Sequence, residues 1–138
     1  MRIAIRYYTK TGNTKKLADA IEEVTNVKAK DVSQKLTEDV DILFLGSSVY
    51  AAGIDNEVKR FINDIDGKIG KVVNFSTTAV IKSTKKQVEK LLKGKNIKMD
   101  NREFYCKGSF GLIHKGKPNK TDLENIQKFV QDIINGEV

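Results

Sequence analysis

A chain of 138 residues with 39% hydrophobic and 31% charged residues has the size and composition of one globular domain, which argues against intrinsic disorder. No apolar run approaches the roughly 20 residues of a membrane-spanning helix, so a membrane protein is not expected. The formal net charge of +7 is local, because residues 82–98 hold seven lysines and a single acid, Glu89.

Cysteine and histidine usage limits the possible chemistry. The only cysteine, Cys106, cannot form an internal disulfide, which favours a reducing cytoplasm. The first residues lead directly into a strand-like run, so we expect no signal peptide. His114 is the only histidine and lies in no cluster of carboxylates or thiols, so no metal site is predicted.

The first half of the chain alternates strand and helix patterns. Residues 2–8 read as a strand and residues 27–32 as a shorter one, while 33–39 are too short and polar for a helix and predict a reduced crossover. Residues 40–48 form a continuous apolar run, typical of a strand buried on both faces. Helical spacing relates two sets of positions, one after the first strand and one after residues 40–48: Thr14, Leu17, Ala18, Ile21 and Val24, then Val58, Phe61, Ile62 and Ile65.

The second half continues the alternation. Residues 71–78 and 101–106 predict two more strands, separated by a lysine-rich helix that ends near Gly94. The sequence Thr121-Asp122-Leu123-Glu124 resembles a capping box and predicts the start of the last helix. Its inward positions are Leu123, Ile126, Val130 and Ile133. Such alternation predicts one doubly wound α/β domain over residues 1–138, with a parallel sheet covered on both faces.

Ligands of such sheets bind beyond the carboxyl ends of the strands, where the sequence here is rich in small and hydroxylated residues. The first of these loops reads TKTGNT and comprises Thr9, Lys10, Thr11, Gly12, Asn13 and Thr14. Hydroxyls, an amide, a turn glycine and a helix N-terminus are suited to a phosphate, with Lys10 as the only fixed charge in the loop. The alternative is an ordinary helix cap with tolerant loop hydroxyls.

The loop lacks the G-x-x-x-x-G-K-[ST] pattern of triphosphate sites and the G-x-G-x-x-G dinucleotide pattern. Instead, T-x-T-G-N-T after the first strand resembles the phosphate loop of flavodoxins. The resemblance implies a three-layer, flavodoxin-like domain with a five-stranded sheet of order 2-1-3-4-5. It also implies noncovalent FMN, with its 5′-phosphate in this loop.

The resemblance further assigns the second loop, SSVYAAGIDNE (residues 47–57), to one face of the isoalloxazine. It implies cofactor contacts from Ser48 and Ala51, a stacking ring from Tyr50, and a peptide at Gly53 that flips toward the flavin N5. A surface tyrosine and a turn glycine are the alternative interpretation.

The third loop, STTAVIKST (residues 76–84), lies by the same resemblance along the other side of the flavin. Backbone N–H groups of Ser76, Thr77, Thr78 and Ala79 are expected to meet its carbonyls. This loop departs from common flavodoxins, because it has no aromatic or acidic residue and carries Lys82. The chain is closer to a shorter branch that shares C-x-G (Cys106 to Gly108) and G-x-P-N-x-x-D-L (residues 116–123).

The charges predict an unusual bias. Lys10 and Lys82 should favour the anionic, fully reduced flavin, so the second reduction potential is expected to be less low than in acidic flavodoxins. The lysine-rich helix predicts redox partners with acidic docking faces, or else is a solvated face that aids solubility. Cys106 is expected to be a buried small hydrophobe and not a redox thiol.

The predicted function is an FMN-binding electron-transfer protein, monomeric or weakly dimeric. The alternative is an FMN-dependent oxidoreductase of the same fold, of the quinone or protoporphyrinogen type. Nucleic-acid binding is not expected, since the lysines have no interleaved arginine or aromatic residues. A phosphorylated receiver domain would need aspartates where Tyr7-Tyr8 and Ser47-Ser48 stand.

Overall fold

The computed structural model describes residues 1–49, 54–78, 83–108 and 116–136. The strands are β1 (Ile3–Tyr7), β2 (Ala29–Asp31), β3 (Val40–Val49), β4 (Ile69–Thr78) and β5 (Met99–Lys107), and the helices are α1 (Asn13–Thr25), α2 (Asn56–Asn63), α3 (Lys85–Lys93) and α4 (Lys120–Ile134). None of the helices in these ranges is long and apolar enough to cross a membrane. The same ranges hold no group of histidine, cysteine and acidic side chains able to bind a metal ion.

The five strands form one parallel sheet of order β2-β1-β3-β4-β5, which confirms the predicted flavodoxin-like topology. Register runs continuously from β1 through β3 to β4, with Ile5 opposite Phe44 and Phe44 opposite Val73. The carboxyl ends of these strands therefore meet at one edge of the sheet. That edge carries the hydroxyl-rich segments.

Apolar side chains cover both faces of the sheet. On one face, residues of α1 and α4 such as Leu17 and Ile126 pack against Phe44 and Phe75. On the other face, residues of α2 and α3 pack against alternate positions of the same strands. This second layer includes Val58, Ile62, Val88, Leu92, Leu43, Leu45 and Val72. The alternation follows from the pleat of each strand, which sends successive side chains to opposite faces.

The connection between β2 and β3 contains no helix, as its polar sequence predicted. Arg6 is 5% exposed and fastens this segment to the sheet. Its guanidinium donates to the carbonyls of Gln34 (2.9 Å) and Lys35 (3.3 Å). Burial lowers the pKa of Arg6, and the carboxylate of Glu38 partly offsets that effect. Arg6 thus pairs two backbone carbonyls in a segment that has no helix to pair them.

One predicted helix start was wrong. The capping box of α4 is formed by Asn119 and Asp122, two residues before the predicted start at Thr121. The Asn119 side chain accepts from the Asp122 N–H at 3.0 Å, and the Asp122 carboxylate accepts from the Asn119 N–H at 2.9 Å. Both Asn and Thr cap helices well, so composition alone did not separate the two registers.

Candidate functional site

The first loop turns sharply into α1 at the carboxyl edge of the sheet. Gly12 has φ of +90°, a left-handed conformation that favours glycine, and its N–H donates to Thr9 Oγ1 at 2.9 Å. No side chain caps α1, and its first turn holds no acid. Within the described residues, a Cβ added at Gly12 would meet no atom within 4 Å. No described residue therefore fills the space next to Gly12, where the positive end of α1 lies.

Buried hydroxyls gather behind this loop. Thr14 Oγ1 in the first turn of α1 lies 2.9 Å from Thr77 Oγ1 at the end of β4. Ser48 is opposite Thr77 in the register of β3 and β4, and its buried hydroxyl has no hydrogen-bond partner within the described part of the chain. Residues from the first, second and third predicted loops thus converge on the α1 side of the sheet.

Asn13 is buried, and the backbone of Gly108 lies close to its side-chain amide. A Cβ at Gly108 would stand 2.8 Å from Asn13 Nδ2 and 3.2 Å from Thr77 Cβ. The Gly108 N–H donates to the carbonyl of Thr78 at 3.1 Å. The glycine of the C-x-G motif therefore leaves room for the amide of the first loop.

Lys10 does not stand as an isolated charge. Its ammonium lies 3.5 Å from the carboxylate of Asp55, although 55% of the lysine side chain is exposed. Thr11 beside it is exposed as well. The cationic bias expected from Lys10 is therefore partly neutralised, and the expected shift in reduction potential stays a prediction.

Asp55 is a site residue that was not predicted from the sequence. It caps α2 by accepting from the Glu57 N–H at 3.1 Å. It also hydrogen-bonds to Tyr8, whose pKa is raised by burial and by this carboxylate. An aspartate two residues before Glu57 and three before the apolar Val58 is a recognisable N-cap signal. Its contacts with Lys10 and Tyr8 leave no trace in local sequence.

Part of the second loop lies outside the described residues, including Tyr50, Ala51 and Gly53. The chain is described again from Ile54, whose N–H donates to Gln87 Oε1 of α3 at 2.9 Å. The end of this loop is therefore held to the helix that follows the third loop.

The third loop begins at the end of β4, where successive side chains point to opposite faces of the sheet. Thr77 faces the α1 side, whereas Ser76 faces the α3 side, where its buried hydroxyl has no partner among the described residues. Thr78 is also buried, while Ala79 and Lys82 lie outside the described ranges. Ser76 and Thr77 thus do not bring their side chains together, although both end the same strand.

Thr84 anchors the far end of the third loop. Its Oγ1 accepts hydrogen bonds from Ser47 Oγ at 2.9 Å and from Asn74 Nδ2 at 3.0 Å, all three side chains being fully buried. Thr84 precedes α3 but makes no side-chain cap, because its hydroxyl is engaged with the sheet. Asn74 and Thr84 were not predicted from the sequence as site residues, although a polar residue inside an apolar strand was a usable signal.

The two late motifs meet at the same edge. Gly116 has φ of +84°, and Lys117 Nζ lies 2.9 Å from the Asp122 carboxylate. Burial, together with the charge of Asp122, raises the pKa of Cys106 to about 12. The thiol therefore remains protonated at neutral pH. Cys106 is partly buried against the core, whereas the sequence predicted a buried residue. His114 lies outside the described residues.

The flavodoxin domain family matches residues 4–115. The chain belongs to the flavodoxin family. An uncharacterized protein of Methanocaldococcus jannaschii is 28% identical over 136 residues, covering 88% of this chain and 90% of that protein. A flavodoxin of Clostridium saccharobutylicum is 32% identical over 91 residues, which is 56% of each chain.

Solved flavodoxin structures share the fold of this chain. A flavodoxin from the domain Archaea superposes with a TM-score of 0.79 at 15% identity, covering 99% of this chain and 98% of the other. A short-chain flavodoxin associated with a non-canonical PDU bacterial microcompartment gives 0.72 at 19% identity, with full coverage of both.

Membership of the flavodoxin family implies a flavin cofactor, and the described residues fit one. A buried Ser48 hydroxyl has no described partner, and no described residue fills the space beside Gly12. The hydroxyls and the uncapped helix N-terminus form a donor set suited to a phosphate ester. The flavodoxin resemblance seen in the sequence is thereby supported by residues that lie far apart along the chain.

Proposed function

We propose that this protein binds FMN noncovalently at the carboxyl edge of its sheet and carries electrons between redox proteins. The observation that carries the proposal is the uncapped N-terminus of α1 beside Gly12, backed by the buried Thr14–Thr77 pair. Flavin, when bound, supplies one- and two-electron transfer. The residues of the chain bind the flavin and fix its position.

The first loop would hold the phosphate with neutral donors. Because Thr9 Oγ1 accepts from the Gly12 N–H, the hydroxyl proton of Thr9 is left to donate outward. Thr14 and Thr77 use one proton for the bond between them, which leaves the proton of the other hydroxyl for a ligand. Fixed dipoles of this kind favour a dianion without requiring an arginine.

The ends of the other two loops are fastened in advance. Gln87 holds the N–H of Ile54 near the end of the second loop, and Ser47 with Asn74 holds Thr84 at the end of the third. Such tethers reduce the conformational entropy that binding must remove. This supports a preformed cofactor site in place of one that folds around its ligand.

The phosphate assignment is tested by comparing FMN with riboflavin, which lacks the phosphate. We expect purified protein to retain flavin absorption through desalting after FMN is added. Thr14→Val should raise the Kd for FMN about tenfold, the equivalent of one hydrogen bond to a charged group, and leave the Kd for riboflavin unchanged. Thr37→Val, at an exposed position in the β2–β3 connection, serves as the control.

Two results would change the proposal. Failure to bind either flavin would remove it, and equal affinity for FMN and riboflavin would remove the role of the first loop. Rapid catalytic turnover of a quinone by the FMN-loaded protein would assign it to the oxidoreductases of this fold, the alternative raised by the sequence.

A further inference from the structure

Helix α3 differs in charge from the other helices. It carries four lysines and one glutamate within Lys85–Lys93, a net charge of +3. The net charges of α1 and α4 are each −1, and that of α2 is +1. Lys95 and Lys98 extend the positive charge beyond the end of α3.

The lysines of α3 form an uncompensated stripe. Lys86, Lys90 and Lys93 are exposed and follow one another at helical i,i+4 and i,i+3 spacing. No ion pair joins them to a carboxylate within the described residues, whereas Lys15 pairs with Asp19 and Lys71 with Asp100. Like charges at this spacing disfavour a helix by a few tenths of a kcal/mol per pair. Folding alone therefore gives no reason for the stripe.

The stripe begins at the edge that holds the candidate site. Lys85 follows the third loop directly, and α3 extends from there for about 13 Å. Tyr105 lies opposite Ser76 in the register of β5 and β4, on the sheet face that α3 covers, and is 42% exposed. Apart from Met1, it is the only large hydrophobic residue exposed in the described ranges.

We propose that this surface, made of Lys85, Lys86, Lys90, Lys93, Tyr105 and Lys107 and here called the lysine face, docks the acidic face of a redox protein. The proposal rests on the proposed electron-transfer function. Lysines give long-range steering toward carboxylates, and an exposed tyrosine is a typical short-range anchor. The docked partner would lie beside the candidate flavin edge, since the lysine face begins there.

A protein partner fits better than the other anionic surfaces. The lysine face has no arginine to form bidentate contacts with phosphates, and one aromatic ring is too few for a base-stacking platform. Within its described residues α3 exposes no large apolar side chain that would insert into a membrane. Gln87 also lies on α3 and holds Ile54, so the docking helix directly contacts the end of the second loop.

The test uses a plant-type [2Fe–2S] ferredoxin as an acidic one-electron donor. Association rate and Kd are measured with the FMN-treated protein at ionic strengths of about 0.01 M and 0.15 M, where the Debye length is about 30 Å and 8 Å. The variant Lys86→Glu/Lys90→Glu/Lys93→Glu is compared with Lys30→Glu/Lys68→Glu/Lys128→Glu. Both change the net charge equally, and the control lysines are exposed on β2, before β4 and on α4.

We expect the first variant to associate at least about tenfold more slowly at low ionic strength and to lose most of its salt dependence, while the control changes less than about threefold. Tyr105→Ala should raise the Kd about tenfold without altering the salt dependence, because it removes a short-range contact. Flavin content is read from the absorbance of the same samples, so failure of cofactor binding and failure of docking are distinguishable.

Equal losses in the two triple variants would overturn the proposal, because net charge alone would then explain the binding. Tighter binding to a single-stranded DNA oligonucleotide or to phosphatidylserine vesicles than to ferredoxin would also overturn it, in favour of a phosphate-bearing partner.

Discussion

The ammonium group of Lys10 lies 3.5 Å from the carboxylate of Asp55, so an ion pair joins the first loop to the residue that caps α2. The lysine side chain is 55% exposed and the aspartate 24%, which makes the pair a weak source of stability. Its effect on the site is electrostatic. A phosphate in the first loop would share Lys10 with a carboxylate that already occupies one side of the ammonium.

Asp55→Asn is expected to tighten FMN binding about threefold at low ionic strength. Asparagine caps helices as well as aspartate does, so the substitution removes the charge and keeps the cap of α2. Lys10→Met should weaken FMN binding by a similar factor, and neither change should affect riboflavin. Flavin fluorescence quenching measures all four affinities. Weaker FMN binding by Asp55→Asn would mean that Asp55 positions the loop and does not compete for Lys10.

Gly108→Ala is expected to weaken FMN binding about tenfold or more. The new methyl group would displace the Asn13 amide, 2.8 Å away, and crowd Thr77. Asn13 belongs to the predicted phosphate loop, and Thr77 hydrogen-bonds to Thr14 of the same loop. Gly94→Ala is the matched control, since Gly94 has φ of −64° and its Cβ would come no closer than 3.4 Å to another atom. The measurement is an FMN titration alongside thermal unfolding. Loss of stability with unchanged affinity would separate Gly108 from the cofactor site.

Thr84→Val is expected to lower the free energy of unfolding by about 2 kcal/mol. It removes the shared acceptor of Ser47 and Asn74 and leaves two buried donors unsatisfied, at a place where water does not reach. Thr84→Ser retains the hydroxyl and should cost less than half as much. Urea unfolding at neutral pH gives both values, and equal losses would assign the effect to the methyl group and its packing.

Local pattern was sufficient for the fold because the elements are locally consistent. The apolar run of β3 indicates a strand, and the spacing of apolar residues around Leu17 indicates a helix. The alternation of strands and helices then implies a parallel sheet. Strand order came from the resemblance carried by residues 9–14. The start of α4 was misplaced because Asn119 and Thr121 are both competent caps.

The site was less predictable because its contacts are made by topology. Ser47 and Thr84 are 37 residues apart in sequence and meet only after β3, β4 and α3 have assembled. Asp55 meets Lys10 for the same reason. The pleat of β4 places Thr77 on the α1 side of the sheet and Ser76 on the α3 side. A strand boundary that is uncertain by one residue does not predict which side each of them faces.

Asp100 is expected to make stability fall in acid. Its carboxylate lies 2.8 Å from Lys71 Nζ and 3.0 Å from Arg102 Nη2. Burial alone would raise the pKa of Asp100, but the hydrogen bonds from Arg102 and Lys71 outweigh it and hold the pKa well below its usual value. The native state therefore binds the proton less readily than the unfolded chain, in which an aspartate has a pKa of about 3.9.

The stabilisation from Asp100 is thus complete above about pH 5 and is lost as the pH falls through about 4 and below. Asp100→Asn should lower the free energy of unfolding by about 1 kcal/mol at neutral pH. This figure allows for solvent screening of Lys71 and Arg102, whose side chains are 27% and 34% exposed. The difference from the unmodified protein should shrink steadily below pH 4. Asp66→Asn, at an exposed position, should show no such trend, and a pH-independent difference for Asp100→Asn would assign its effect to packing.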